Sequence, residues 1–255
     1  MYIDRRFIFL IIALMLFSSL MSLLSSEDAL LAFVISIPGI IIAITFHEFA
    51  HAFVADKLGD DTPRRQGRLN LNPFKHLDLF GTIMLVFAGF GWGKPVEINP
   101  RNFNRNMSLS KAEAIVSAAG PLMNFILAIV FEIIFCLLVL LVPGVSVVNG
   151  INGITILASS QAVRIAISIV QSIVAINIGL GVFNLIPLPP LDGSKILCGF
   201  LPYNARNWIE SHSQIFEIIF IALWIVGILS LIVRPIILGV NEGLTYLFMQ
   251  IFGII

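Results

Sequence analysis

The chain has 255 residues, of which 58% are hydrophobic and only 12% charged, against roughly 45–50% and about 25% for ordinary soluble domains. The formal net charge is zero, which argues against nucleic acid as a partner. The two cysteines, Cys136 and Cys198, lie far apart without a Cys-x-x-Cys spacing and read as buried apolar fillers.

The apolar residues gather into long runs. The first, Phe7–Leu24, follows Arg5 and Arg6; with no clear small-residue cleavage site after it, it reads as a retained span. Ala29–Val54 is the second. The stretch Asp56–Lys111 then opens polar and turns apolar across Leu79–Phe90, where Gly81 and Gly89, followed by Gly91 and Gly93, make it too glycine-rich for a full span. It predicts a re-entrant or edge-strand element beside a cavity, because irregular backbone at membrane depth needs protein or water to satisfy it. Ala112–Leu141 and Ile165–Leu185 follow. Three prolines, Pro187, Pro189 and Pro190, then end the helix, yet apolar sequence resumes at Ile196–Leu201, so a helix broken near one membrane face is expected. Ile215–Val233 and Ile236–Ile255 close the chain.

About 20 apolar residues at 1.5 Å rise cross a hydrocarbon core of roughly 30 Å. The expected fold is therefore an all-α polytopic membrane protein with about six transmembrane helices and a small re-entrant or β element between the second and third. It reads as one domain over 1–255, with a catalytic core at about 29–201 and accessory spans at 7–24 and 215–255. With a cytoplasmic N-terminus, thirteen of the fifteen Lys and Arg fall on inner segments and only Arg164 and Arg234 outside. That predicts a multi-pass cell-membrane protein with both termini, and the opening of its site, on the cytoplasmic side.

The chemistry concentrates in His47-Glu48-Phe49-Ala50-His51. Histidines four apart on a helix face the same way and can share one Zn²⁺, while Glu48 can take a proton from water without ligating the metal. These three are the ionisable residues of Ala29–Val54, where a stray polar group would cost a few kcal/mol. The centre of the motif lies about eight residues, roughly 12 Å, before Lys57. Catalytic zinc takes a third protein ligand. His76, Asp78, Glu132, Asp192 and His212 are candidates. His76 and Asp78 fall in a polar loop, Glu132 at the wrong depth, and Asp192, on the broken helix, matches the depth of the two histidines.

With these residues in view, the chain resembles the site-2 protease family of intramembrane zinc metalloproteases. The resemblance is carried by His47-Glu48-Phe49-Ala50-His51, by Asn184 to Gly193 with its Leu-Asp-Gly ending, and by Gly120-Pro121-Leu122-Met123-Asn124. Gly91-Trp92-Gly93-Lys94-Pro95-Val96 with Asn99-Pro100-Arg101 is similar to the compact prokaryotic branch, without a PDZ insertion or a nucleotide-sensing domain. It implies one zinc per chain on His47, His51 and Asp192, Glu48 as catalytic acid/base, and Asn124 and Asn184 lining the cleft against an extended substrate backbone. The alternative for both asparagines is interhelical hydrogen bonding. The expected partners are the lipid bilayer and a membrane protein with a transmembrane segment, cut within or near that segment in regulated proteolysis. An exposed backbone edge in Gly81–Val96 would pair with the unwound substrate. A metal-ion transporter or an inactive protease-like scaffold would use the same ligands without needing Glu48 as a base.

Overall fold

The computed structural model describes residues 18, 20–88, 93–104, 106–150 and 153–255. Helix α1 (Glu27–Lys57) starts where Ser26 accepts a hydrogen bond from the Ala29 N–H; Glu27 and Asp28 sit at its positive end and Lys57 at its negative end. Gly59, at φ 107°, then turns the chain in a conformation few other residues adopt, closely backed by Asn104. Short helices α2 (Thr62–Arg65) and α3 (Pro73–His76) lead to α4 (Leu79–Ala88). An extended segment over 93–99 and a 3₁₀ turn at Pro100–Asn102 return the chain to α5 (Leu109–Leu141).

Helix α5 is joined to α6 (Gln161–Asn184) by an antiparallel hairpin of β1 (Val145–Gly150) and β2 (Gly153–Ala158), with Val145 paired to Ala158. Then come α7 (Asp192–Cys198), α8 (Tyr203–Ser211), α9 (Ser213–Ile225) and α10 (Ile228–Ile251). Helices α1, α5 and α6 pack mutually into the central bundle; α7 lies on α5 and α10 on α6. A buried chain of amides ties the three together: Asn124 Nδ2 donates to the Ala43 carbonyl and to Asn177 Oδ1, and Asn177 Nδ2 to the Ile173 carbonyl. The lone pairs and N–H groups that water would otherwise solvate are thus met inside the bundle.

Among the described residues, four helices are long and apolar enough to cross a membrane: α1, α5, α6 and α10. Their outward faces carry exposed Leu30, Val34, Leu122, Ile126 and Leu231, as expected for helices solvated by lipid. The expected first span, 7–24, lies for the most part outside the described residues.

Three expectations change. The apolar run after Asp78, expected as a re-entrant or edge-strand element, is a ten-residue helix, which overturns the strand alternative; it is capped where Asp78 Oδ1 accepts from the Gly81 N–H. A helix satisfies its own backbone, which an isolated strand at membrane depth does not. The extended backbone comes later, at 93–99, tied to the preceding turn by the Leu77–Gly93 bridge. The two-stranded sheet lies instead between α5 and α6, with Val145, Val147, Ile156 and Ala158 packed against a core that includes Phe135, Val139 and Met249. Finally, the break in the C-terminal apolar region falls at Gly227 (φ 83°) rather than at Arg234-Pro235, which lie inside α10. Helix α9, at 13 residues or about 20 Å, is shorter than a full crossing.

Candidate active site

His47 and His51 are both buried, one turn apart on α1, and face Asp192, the first residue of α7. The two Nε2 atoms are 3.1 Å apart, and Asp192 Oδ2 lies 3.1 Å from His51 Nε2 and 3.2 Å from His47 Nε2. The three expected ligands, with Asp192 141 residues beyond His51 in the chain, thus form one small triangle that can hold a metal ion.

The hydrogen bonds behind the rings decide what that triangle is. His47 Nδ1 is 2.7 Å from Asn124 Oδ1, and Asn124 spends both amide hydrogens on the Ala43 carbonyl and Asn177 Oδ1, so the atom facing the ring is the acceptor oxygen. His47 Nδ1–H therefore donates. His51 Nδ1–H likewise donates to the Val116 carbonyl at 2.7 Å. A neutral imidazole protonated at Nδ1 has a bare lone pair at Nε2. Two such lone pairs and a carboxylate oxygen converge here, an arrangement that repels itself unless a cation sits among them. Ligands 2.0–2.1 Å from a tetrahedral metal are about 3.3 Å apart, close to the observed spacing. Nδ1–H donation to a carbonyl or amide oxygen is also the arrangement that fixes metal-binding histidines.

Gly120 on α5 closes the space beside the triangle. A Cβ there would lie 2.4 Å from His51 Nε2, 2.6 Å from His47 Cε1 and 2.7 Å from His47 Nε2. Only hydrogen fits where the ligand atoms meet. Gly193 has a comparable role at the third ligand: its Cβ would come within 2.4 Å of both the Leu185 and the Ile186 carbonyl oxygens, so glycine lets α7 start tight against the proline-rich turn and present Asp192.

Glu48 is half-buried and stands beside the triangle without joining it. The Val96 N–H donates to Glu48 Oε2 at 3.2 Å, and Gly93 is packed so closely that a Cβ would be 3.0 Å from Oε1. A cavity of about 360 Å³ opens onto Glu48 and all three triangle residues; its walls include Gly93, Pro95, Val96, Ile98, Asn184 and Lys195.

The two asparagines part company. Asn184 lines the cavity, its Nδ2 donating to the Leu180 carbonyl. Asn124 is fully buried behind His47, away from the cavity wall, because both ends of its amide are used within the bundle. Of the other candidate ligands, none joins the triangle. His76 is buried rather than at the surface, donating from Nε2 to the Asn70 carbonyl; Asp78 caps α4; and His212 is bonded to the Trp208 carbonyl. Glu132 is buried against Thr245 of α10. Gly120, Asn177 and the Val96 N–H are contributors that spacing alone does not reveal. An asparagine in the middle of an apolar run was the available signal for Asn177.

A helix-borne His-x-x-x-His pair, a carboxylate from a second element and a free glutamate, inside a bundle of membrane-length helices, define a membrane metalloprotease. The chain belongs to peptidase family M50, whose sequence model matches residues 35–227, in agreement with the resemblance to site-2 proteases. It is similar to YwhC of Bacillus subtilis (strain 168), 39% identical over 214 residues, or 84% of this chain and 90% of YwhC. It is also similar to two Rip2 proteins: that of Mycobacterium tuberculosis, 27% identical over 87% of this chain and 75% of the relative, and that of Mycolicibacterium smegmatis, 27% identical over 63% and 55%. All three bear the provisional name zinc metalloprotease. No solved structure matches the chain.

Proposed function

We propose that this protein is a zinc-dependent intramembrane protease that hydrolyses peptide bonds within or near the transmembrane segments of membrane proteins, as a step in regulated proteolysis. The observation that carries the reading is the position of the His47–His51–Asp192 triangle and Glu48: they lie on and against a membrane-length apolar helix, yet open onto a cavity. Peptide hydrolysis forms a C–O bond, breaks the C–N bond and moves one proton from water to the leaving amine. Zinc held by His47, His51 and Asp192 would supply Lewis acidity to water and to the scissile carbonyl. Glu48, on the cavity wall and outside the ligand set, takes the proton from water and returns it to the amine nitrogen. Asn184 and the extended backbone over 93–98 contact the substrate, which must leave its helix to expose a carbonyl. Asn124 acts behind His47, holding the tautomer that leaves Nε2 free.

The whole chain acts as one protease domain with its core at about 29–201. The run 7–24 supplies the first of about six crossings, and the excess of Lys and Arg over 57–111 supports a cytoplasmic opening and cytoplasmic termini. The test is cleavage in liposomes of a fluorophore–quencher peptide whose leucine–alanine transmembrane segment, about 20 residues long, is interrupted by Asn-Gly. Wild type is expected to cleave it, and Glu48→Gln, at equal zinc content, to cleave it at least about 100-fold more slowly. Equal cleavage by both proteins would refute the role of Glu48. Failure of wild type on this peptide together with cleavage of its soluble flanks alone would refute the intramembrane substrate.

A further inference from the structure

Arg68 follows α2 and is 94% buried, at 6% exposure. Among the described residues it forms no ion pair. Its guanidinium is spent on backbone carbonyls: Nη1 donates to those of Lys75 and, at 3.3 Å, Lys94, and Nη2 to that of Pro95 at 3.3 Å. A buried cation carries a large desolvation cost, and a filler of equal volume would not. What the planar fork offers in return is the simultaneous hold on three carbonyls that a lysine or an apolar chain lacks.

Two of those carbonyls, those of Lys94 and Pro95, belong to the segment that touches Glu48, and the third, that of Lys75, lies in α3. The Lys94 N–H donates to the His76 carbonyl, Pro95 has no N–H, and the Lys94 and Pro95 carbonyls point to Arg68. The next donor along the chain, the Val96 N–H, is thereby aimed at Glu48 Oε2. The far end is pinned as well. Fully buried Asp60 accepts from the Asn99 N–H at 2.6 Å and from Asn102 Nδ2 at 2.9 Å. The strap over 94–99 is therefore held at both ends, with its middle against the glutamate.

We propose that Arg68 is a positioning residue for catalysis: it fixes the Lys94–Pro95 backbone so that the Val96 N–H orients the Glu48 carboxylate. This rests on the reading of Glu48 as the acid/base. Arg68 is neither a metal ligand nor itself part of the cavity lining and acts only through the Lys94–Pro95 backbone, so its loss acts on turnover rather than on zinc.

The experiment compares wild type, Arg68→Gln, Arg68→Lys, Val96→Pro, Glu48→Gln and the Glu48→Gln/Arg68→Gln double variant on the fluorogenic transmembrane peptide. Zinc content and hydrogen–deuterium exchange of the Val96 amide are measured alongside. Misplacing a catalytic group by about 1 Å costs on the order of 100-fold. Arg68→Gln is expected to keep its zinc, to lose about 10- to 100-fold in kcat with any rise in KM smaller than that loss, and to exchange the Val96 amide faster. Arg68→Lys, which keeps the charge and loses the fork, should fall between. Val96→Pro, which deletes the donor with Arg68 intact, should lose kcat as Arg68→Gln does. In the double variant Arg68→Gln should add nothing, since residues acting through one group are not additive. Unchanged kcat in Arg68→Gln, loss of zinc with it, a change confined to KM, wild-type turnover in Val96→Pro, or additive losses in the double variant would each overturn the proposal. Full activity of Glu48→Gln would overturn the acid/base reading instead. Faster Val96 exchange in Arg68→Gln would still support the backbone contact.

Discussion

Gly120→Ala isolates the metal site from the fold. The new methyl would stand 2.4 Å from His51 Nε2, against the 3.4 Å at which ordinary contact begins, so about 1.0 Å must be found. The ring cannot swing freely, because His51 Nδ1 is bonded to the Val116 carbonyl at 2.7 Å and Nε2 faces His47 and Asp192 at 3.1 Å. A shift of that size in a reacting constellation costs about 100-fold, or about 2.7 kcal/mol of barrier. Helix propensity works the other way, since alanine is favoured over glycine inside a helix by about 1 kcal/mol. The expected signature is an α5 at least as stable as in wild type, zinc lost on dialysis and cleavage of the transmembrane peptide down at least 100-fold. Thermal unfolding, zinc content by mass spectrometry and peptide turnover together read it. A Gly120→Ala protein with full zinc and unchanged kcat/KM would refute the reasoning, because the space beside the nitrogens would then not matter.

Gly193→Ala should uncouple Asp192 from the two histidines. Its Cβ would meet the Leu185 and Ile186 carbonyl oxygens at 2.4 Å, backbone that has little room to retreat, and weaker zinc retention with an otherwise folded chain is the expected outcome. Asn124→Ala removes the acceptor that holds the His47 Nδ1–H, so zinc affinity should fall about 10- to 100-fold in a chelator competition. Asp60 links stability to pH. Burial pushes its carboxyl up, but hydrogen bonds from Thr62, Asn99 and Asn102 outweigh this and leave it below its ordinary value. A carboxylate so lowered stabilises the fold above about pH 4, its unfolded value. That contribution drains away as pH falls through the folded value. Wild type should therefore lose melting temperature on acidification with a steeper slope than Asp60→Asn; parallel slopes would show that Asp60 contributes nothing.

Much of the site was legible because it obeys short-range rules. His47 and His51 share a helix face by their spacing, and Asp192 was traceable through Pro187, Pro189 and Pro190, which no continuous helix accommodates. The apolar runs of α1, α5 and α6 were equally plain. The rest depends on contacts between distant segments. Asn124 fell among the cleft residues because its sequence neighbourhood says nothing of which way it faces; the acceptors on Ala43 and Asn177 turn it behind His47. Gly120 matters through what a Cβ would strike on another helix. Leu79–Phe90 was expected to be a re-entrant or edge-strand element on account of Gly81, Gly89, Gly91 and Gly93, whereas Asp78 caps Leu79–Ala88 into a helix. At the C-terminus the boundary was expected between the runs Ile215–Val233 and Ile236–Ile255, while the left-handed Gly227 is what breaks the helix. The hairpin did leave a trace, with Val145 and Val147 alternating after Pro143-Gly144, but two short strands stand out weakly beside helices of 33 and 24 residues.

The central claim is that His47, His51 and Asp192 bind one zinc ion, and X-ray absorption at the zinc edge of the purified protein tests it most directly. The expected spectrum has nitrogen and oxygen neighbours only, at about 2.0–2.1 Å, with the outer scattering of two imidazoles, and it changes in Asp192→Ala. A sulfur neighbour at about 2.3 Å, or a spectrum indifferent to Asp192, would contradict it.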